Sequence, residues 1–315
     1  MTTTATPTQR ARQRKSNRPA WDEEPSFVGK FAKAAFMICY AAAIVIPIWA
    51  IVATSFASEE ALQRAGGNLL LLPTQLSTQA YQEIFSGGAL TDSLILTIVL
   101  TVIGTAISMV LTIGAAYGLS RPGTVLHRPL LLLILFTFLF APGMYPNFLV
   151  VQKLGLFNSY WSLILPMALN AFNLIVLRAF FMNSVPRELI DAAKMDGAGE
   201  FKTLFRVVLP MSKAILAVIA LFYAVMYWNI YFQAVLYIPS LDTQPIQVVL
   251  QRMLMSTQGL PGAASSAAQY QSDVAAPTAA LKMAVVVCTI VPIVIMYPFI
   301  QKHFTKAVIT GAIKG

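Results

Sequence analysis

Long apolar runs without a single Asp, Glu, Lys or Arg dominate the chain: 34–58, 93–120, 129–152, 154–177, 214–241 and 283–301. A helix needs about 20 mostly apolar residues to cross a bilayer. The pattern therefore predicts an all-α integral membrane protein with six transmembrane helices, at about 34–58, 93–120, 129–152, 157–182, 213–237 and 278–301. The last starts near Ala280, with Lys282 snorkelling toward the nearer surface. Two other uncharged stretches read as loops: 65–82, where the run Leu69–Leu72 stops at Pro73, and 253–272, which is rich in Gly, Ser, Ala and Gln. Breakers punctuate the spans at Pro47, Pro142, Gly143, Pro166, Pro292 and Pro298. Membrane helices tolerate proline because neighbours satisfy the freed backbone groups.

Composition agrees. Hydrophobic residues make up 57% of the 315 positions and charged residues 11%, with a mean hydropathy of +0.69. Soluble domains carry about 25% charged residues, and disordered chains are polar and highly charged, so both classes are excluded. The formal net charge is +9, and its placement is informative. Eighteen of the 22 Lys and Arg fall on one side of the predicted topology: seven in the N-terminal arm, Arg121 and Arg128, six from Arg178 to Lys213, and Lys302, Lys306 and Lys314. Arg64, Lys153, Arg252 and Lys282 fall on the other. Basic segments stay on the cytoplasmic side, so both termini are expected there and no nucleic-acid partner is needed to explain the charge. Residues 1–33 read as a cytoplasmic arm, partly disordered and not a cleavable signal, residues 34–301 as the membrane domain, and residues 302–315 as a cytoplasmic tail. Cys39 and Cys288 read as buried small hydrophobes, and two histidines are too few for a histidine-based metal centre.

The connection at 178–213 is unusually long and charged. It reads as two short helices. Ser184 is placed to cap the first, with Pro186 and Glu188 in its first turn; Gly197 and Gly199 break it. The second starts near Glu200, carries Phe201, Leu204, Phe205 and Val208 on one apolar face, and ends at Pro210. Ala192, Ala193, Gly197 and Ala198 are small enough for close backbone approach. On composition alone this elbow suits a soluble docking partner and a resting place on the bilayer equally.

The elbow resembles the EAA motif of ABC importer permeases: Glu-Ala-Ala, three residues, Gly, nine residues, Ile, one residue, Leu-Pro. Asp191, Ala192, Ala193, Gly197, Val207, Leu209 and Pro210 stand in that register, with Asp for Glu and Val for Ile. Tyr227 to Ile238 and the ending Gln301 to Gly315 are similar to carbohydrate permeases of the same family, especially those for complex oligosaccharides such as aldouronate and alginate, and more distantly to the smaller maltose permease subunit. The resemblance covers roughly 30–315. It implies a type I (MetI-like) importer permease in a bacterial cytoplasmic membrane. It also implies a sister permease, two ATP-binding subunits that carry the ATP and Mg, and an external solute-binding protein. No enzyme activity or cofactor is expected in this chain. The coupling segment would be 184–210, its helix about Arg187–Gly199, and the residues that carry coupling would be Glu188, Asp191, Ala192, Ala193, Asp196, Gly197, Phe201, Leu209 and Pro210.

Sugar rings stack on aromatic faces, and amides and hydroxyls bond their rims. The fifth span offers Tyr223, Tyr227 and Tyr231 as an i, i+4, i+8 stripe, Asn229 and Gln233 one turn apart, and Trp228 between; Asn173 adds an amide in the fourth span. These residues suit a substrate path, helix–helix hydrogen bonds or an interfacial belt, and Tyr237 reads as belt. Residues 59–91 and 239–275 read as external segments facing the binding protein. No GxxxxGK[S/T], GxSxG or HExxH occurs, and all thirteen acids lie outside the predicted spans. That disfavours ATP binding by the chain itself and a proton-coupled carrier. A permease for a non-sugar solute and an integral membrane transferase remain the alternatives.

Overall fold

The computed structural model describes residues 27–66, 69–121, 123, 126–140, 142–240, 242–255 and 278–312. The arm before residue 27, most of the external segment after Met255 and the last three residues lie outside the described residues. The chain forms two compact units, Met1–Trp49 and Ala50–Gly315. In the first, the described residues are the leading part of helix α1 (Phe27–Ser55), exposed along most of their length and containing Pro47. Cys39 lies exposed on this helix, contrary to the burial expected of it; Cys288 is half-buried.

Among the described residues, the regular elements of the second unit are helices, apart from one isolated bridge. In order come α2 (Glu59–Arg64), α3 (Gln79–Phe85), α4 (Ala89–Ser120), α5 (His127–Leu139), α6 (Met144–Lys153), α7 (Trp161–Ile164), α8 (Ala171–Ser184), α9 (Arg187–Met195), α10 (Glu200–Thr203), α11 (Leu209–Met211), α12 (Lys213–Trp228), α13 (Phe232–Tyr237), α14 (Ile246–Met255) and α15 (Ala279–Ala312). By length and composition α1 and α4 are able to cross a membrane alone. Two bent pairs pass the same test: 161–167 with 171–184, bent by 46°, and 200–211 with 213–228, bent by 88°. Shorter apolar helices are His127–Leu139, Ile246–Met255 and Ala279–Ile295.

Several expected spans are therefore broken. The third divides at 140–143, where Gly143 adopts φ +83° beside Pro142. The fourth opens with α7 and a short 3-10 turn containing Pro166, then restarts at α8, whose N-cap Asn170 accepts from the Asn173 amide. The fifth ends at Trp228 and resumes at Phe232.

Helix α4 is the spine. Along most of its length its buried residues recur every third or fourth position, Ser93, Thr97, Leu100, Gly104, Ser108, Thr112 and Ala116, and all of these but Leu100 are small. Apolar burial drives little association inside lipid, so small residues and interhelical hydrogen bonds do that work. Helix α12 packs along this stripe, α8 packs on α4, and α15 packs on α12. Tyr237 is buried in the core near Phe148, not in an interfacial belt, because α13 folds back against α6 and α7. At one end of the unit, Thr54 accepts the Leu70 amide at 2.9 Å, and an antiparallel bridge joins Ala57 to Leu76, which pins the chain before α3.

Candidate functional site: a helical elbow and a broken helix

The elbow begins where α8 ends. Ser184 is the last residue of α8, not the cap of the next helix. Val185 before Pro186 is extended, as a residue preceding proline prefers, and Pro186 itself occupies the N-cap of α9. Helix α9 is strongly amphipathic, with Ile190 buried and Glu188 in its first turn. Its end explains the spacing of Ala193 and Gly197. The Ala198 amide donates to the Ala193 carbonyl at 2.9 Å and the Gly197 amide to the Lys194 carbonyl at 3.0 Å, the paired bonds of a Schellman cap. Gly197, the residue after the C-cap Asp196, has φ +74°, which an L side chain resists.

Helix α10 starts at Glu200, as expected, and continues as a π-helical turn over Leu204–Val208 into α11. Pro210 does not end it; the break comes at Ser212. Pro210 has no N–H for the carbonyl four residues back, and the helix widens ahead of it. This widening divides the apolar face expected at 201–208. Leu204 and Val208 enter a core with Tyr117, Leu177, Phe181, Val185 and Ile190, whereas Phe201 (80% exposed) and Phe205 (64%) stand outside it. Leu189 and Met195 (88%) on α9 are exposed as well. Asp191, Ala192 and Asp196 are exposed, and Leu209 is half-buried.

An open cleft of about 660 Å³ separates the elbow from the end of α4 and is lined by Tyr117, Arg121, Arg187, Asp191, Lys194 and Glu200 among others. Glu200 bridges it. The Tyr117 hydroxyl donates to Glu200 Oε2 at 2.7 Å, and Lys194 Nζ lies 2.9 Å from Oε1. The Tyr117 hydrogen bond, then that of Lys194 and the nearby Arg121 charge, hold this carboxyl below the usual carboxylate range.

The aromatic residues of α12 are placed differently from a continuous stripe. Tyr223 and Tyr227 are fully buried. The Tyr223 hydroxyl pairs with Thr112 Oγ1 at 2.6 Å and accepts the Asn170 amide at 3.0 Å. The Tyr227 hydroxyl pairs with Ser108 Oγ at 2.9 Å and donates to the Ile164 carbonyl at 3.2 Å. Trp228 is buried and donates to the Thr289 carbonyl at 2.9 Å; Asn173 is buried at the start of α8. Tyr231 leaves the stripe because the helix stops at Trp228. Asn229 is exposed, Tyr231 and Gln233 are half-buried, and these three sit at the break or just after it. The tyrosine pairing was legible in part: the Ser/Thr/Gly spacing of α4 matches the tyrosines of α12, but only the packed pair shows it. Glu200 carried no signal beyond its place at a helix start.

Residues 108–310 match the family described as binding-protein-dependent transport system inner membrane component. The chain is 44% identical to the polygalacturonan/rhamnogalacturonan transport system permease protein YtcP of Bacillus subtilis, over 89% of this chain and 96% of that protein. It is 31% identical to the diacetylchitobiose uptake system permease protein NgcG of Streptomyces coelicolor, over 89% of this chain and 87% of that one. Among solved structures, a chain of a bacterial ABC transporter involved in import of the acidic polysaccharide alginate superposes with a TM-score of 0.77 at 29% identity, covering 91% of this chain and 100% of the other.

Proposed function

The chain belongs to the family of binding-protein-dependent transport system inner membrane components, and from that premise we propose that it is the permease subunit of an ATP-driven importer for an oligosaccharide. The relatives named for polygalacturonan/rhamnogalacturonan and for alginate support an acidic, uronate-containing sugar chain. The chain works with a sister permease, ATP-binding subunits that carry ATP and Mg, and a solute-binding protein on the opposite face. It crosses the bacterial cytoplasmic membrane six times with both termini inside. Helices α1 and α4, the joined α5–α6, the bent α7–α8, the broken α12–α13 and α15 supply the crossings.

The observation that carries this reading is the elbow. Beside its Schellman turn at Gly197, the exposed side chains of Leu189, Met195, Phe201 and Phe205 are apolar area that a lone chain has no reason to expose. An ATP-binding subunit covers these side chains. Glu188, Asp191, Ala192, Ala193, Asp196 and Gly197 make the contact, while Leu209 and Pro210 set the direction in which α12 leaves the elbow.

The substrate passes the break between α12 and α13. Non-helical backbone at membrane depth persists only where protein buries it or it lines a watery cavity. Asn229, Tyr231 and Gln233 offer polar groups there. Tyr223, Tyr227, Trp228 and Asn173, all hydrogen-bonded within the fold, hold that wall in place. Purification in mild detergent together with the neighbouring transport subunits tests the whole reading. The ATP-binding subunit is expected to co-purify with the wild-type chain and to be lost when Met195, Phe201 and Phe205 are changed to Ser. Retention in that triple variant counts against docking at these residues.

A further inference from the structure

Resting on the proposed docking of the elbow, we infer that Glu200 is the positioning residue that passes elbow movement to α4, through Tyr117 and Arg121. The coupling motif does not include this glutamate; its role comes from where its two oxygens go. One oxygen, Oε1, takes the ammonium of Lys194 at 2.9 Å, which closes the turn between α9 and α10. The other, Oε2, takes the Tyr117 hydroxyl at 2.7 Å and faces the Arg121 guanidinium at 3.7 Å. The Arg121 guanidinium also lies over the Tyr117 ring, 4.6 Å from its centre, and donates to the Tyr117 hydroxyl. Both of these residues belong to the α4 end of the fold, and their side chains are mostly covered: Tyr117 is 8% exposed and the Arg121 side chain 19%.

The arrangement is directional. Helix α9 inserts only Ile190 into the core beneath it, so the turn around Gly197 is held to the bundle largely through α10 and the π-helical turn beyond it. Glu200 is the first residue of α10, directly after that turn. A pull on the turn is therefore met first by the carboxylate, and the carboxylate is anchored on α4. Helix α4 in turn holds Tyr223 and Tyr227 through Thr112 and Ser108, one turn apart, and α12 breaks immediately beyond Tyr227 and Trp228. The route from elbow to break thus runs through charged and hydroxyl hydrogen bonds between rigid helices.

The test uses the complete reconstituted importer and reads sugar uptake per ATP hydrolysed, together with the yield of assembled complex. Glu200→Ala and Tyr117→Phe are expected to lower the uptake-to-hydrolysis ratio about three- to tenfold, the range for losing one ordinary intramolecular hydrogen bond. Complex yield stays at the wild-type level. Glu200→Gln, which keeps an acceptor for the Tyr117 hydroxyl, recovers most of the ratio. An unchanged ratio in both Glu200→Ala and Tyr117→Phe overturns the inference. So does a fall in uptake and hydrolysis together that tracks a lower complex yield, which marks a purely structural role. Where Glu200→Ala does not assemble, Tyr117→Phe, the loss of one oxygen, decides. A wild-type chain that brings down no ATP-binding subunit defeats the docking proposal instead, and the two failures are thereby told apart.

Discussion

Gly197 stands at φ +74° with open space where a Cβ would go, so a substitution there strains the backbone and touches no neighbour within the chain. Alanine in this left-handed position costs roughly 1–2 kcal/mol. The Schellman bonds would loosen and the turn would change shape at the proposed docking surface. Gly197→Ala is expected to leave folding nearly intact and to lower uptake per ATP; Gly197→Val does so more severely, because the branch at Cβ adds to the strain. Wild-type coupling in both removes the docking role from this turn. Glu200, three residues on, carries a pH signature. Its carboxyl is held below the ordinary value of 4.5, first by the Tyr117 hydroxyl. A carboxyl lowered in the folded state stabilises above its ordinary pKa, and that contribution fades as pH falls through the lowered value. Half-exposed, it contributes little, on the order of 0.2–1 kcal/mol. Thermal melts of wild type and Glu200→Gln are expected to differ near neutrality and to converge at the acid side of the carboxylate range.

Among the elements, α4 and α12 set the strictest fit. A Cβ on Gly104 would lie 2.8 Å from three ring atoms of Tyr227, closer than any real Cβ contact. The tyrosine ring cannot yield easily, since its hydroxyl is held by Ser108 and the Ile164 carbonyl. Gly104→Ala is therefore expected to cost about 1–3 kcal/mol of overpacking and to lower the melting temperature of the purified chain; pairing it with Tyr227→Leu should restore part of the loss. No shift in the single variant would mean that α4 and α12 are not packed at this point. The same pair shows what the linear pattern conveyed. The length and apolarity of α4, the elbow register and the helix start at Glu200 were all legible, because each is a local property of spacing. The breaks were not. Proline and glycine marked the interruption at 140–143, but no proline or glycine between Tyr227 and Tyr231 signals that α12 stops at Trp228. Nor did the apolar spacing at 201–208 reveal that a π-helical turn would send Leu204 and Val208 inward and leave Phe201 and Phe205 outside. Both features depend on where neighbouring helices place their hydrogen-bonding groups, which no single segment records.

For the whole molecule, charge and substrate path make one joint claim: the elbow and the α13–α14 connection lie on opposite faces of the membrane. On the topology predicted from the sequence, eighteen of 22 basic residues fall on the elbow side, a bias that fixes orientation when it sits in short loops. With Cys39 and Cys288 replaced by Ser, a single cysteine at exposed Ser240 or at exposed Lys202 reports the side directly. Ser240→Cys is expected to react with a membrane-impermeant maleimide on intact cells, and Lys202→Cys only after the membrane is opened. The reverse pattern would put the elbow outside, away from any ATP-binding subunit. If the orientation holds, Asn229 lies between the two faces, where the broken helix turns its polar group outward from the packed tyrosines. Asn229→Ala then removes a side chain whose amide, among the described residues, bonds the Val225 carbonyl of its own helix at 2.8 Å. Assembly and melting temperature are expected to stay unchanged while uptake falls or its preference among oligosaccharides shifts. A drop in assembly with the sugar preference intact would return the break to a structural kink and move the sugar path elsewhere.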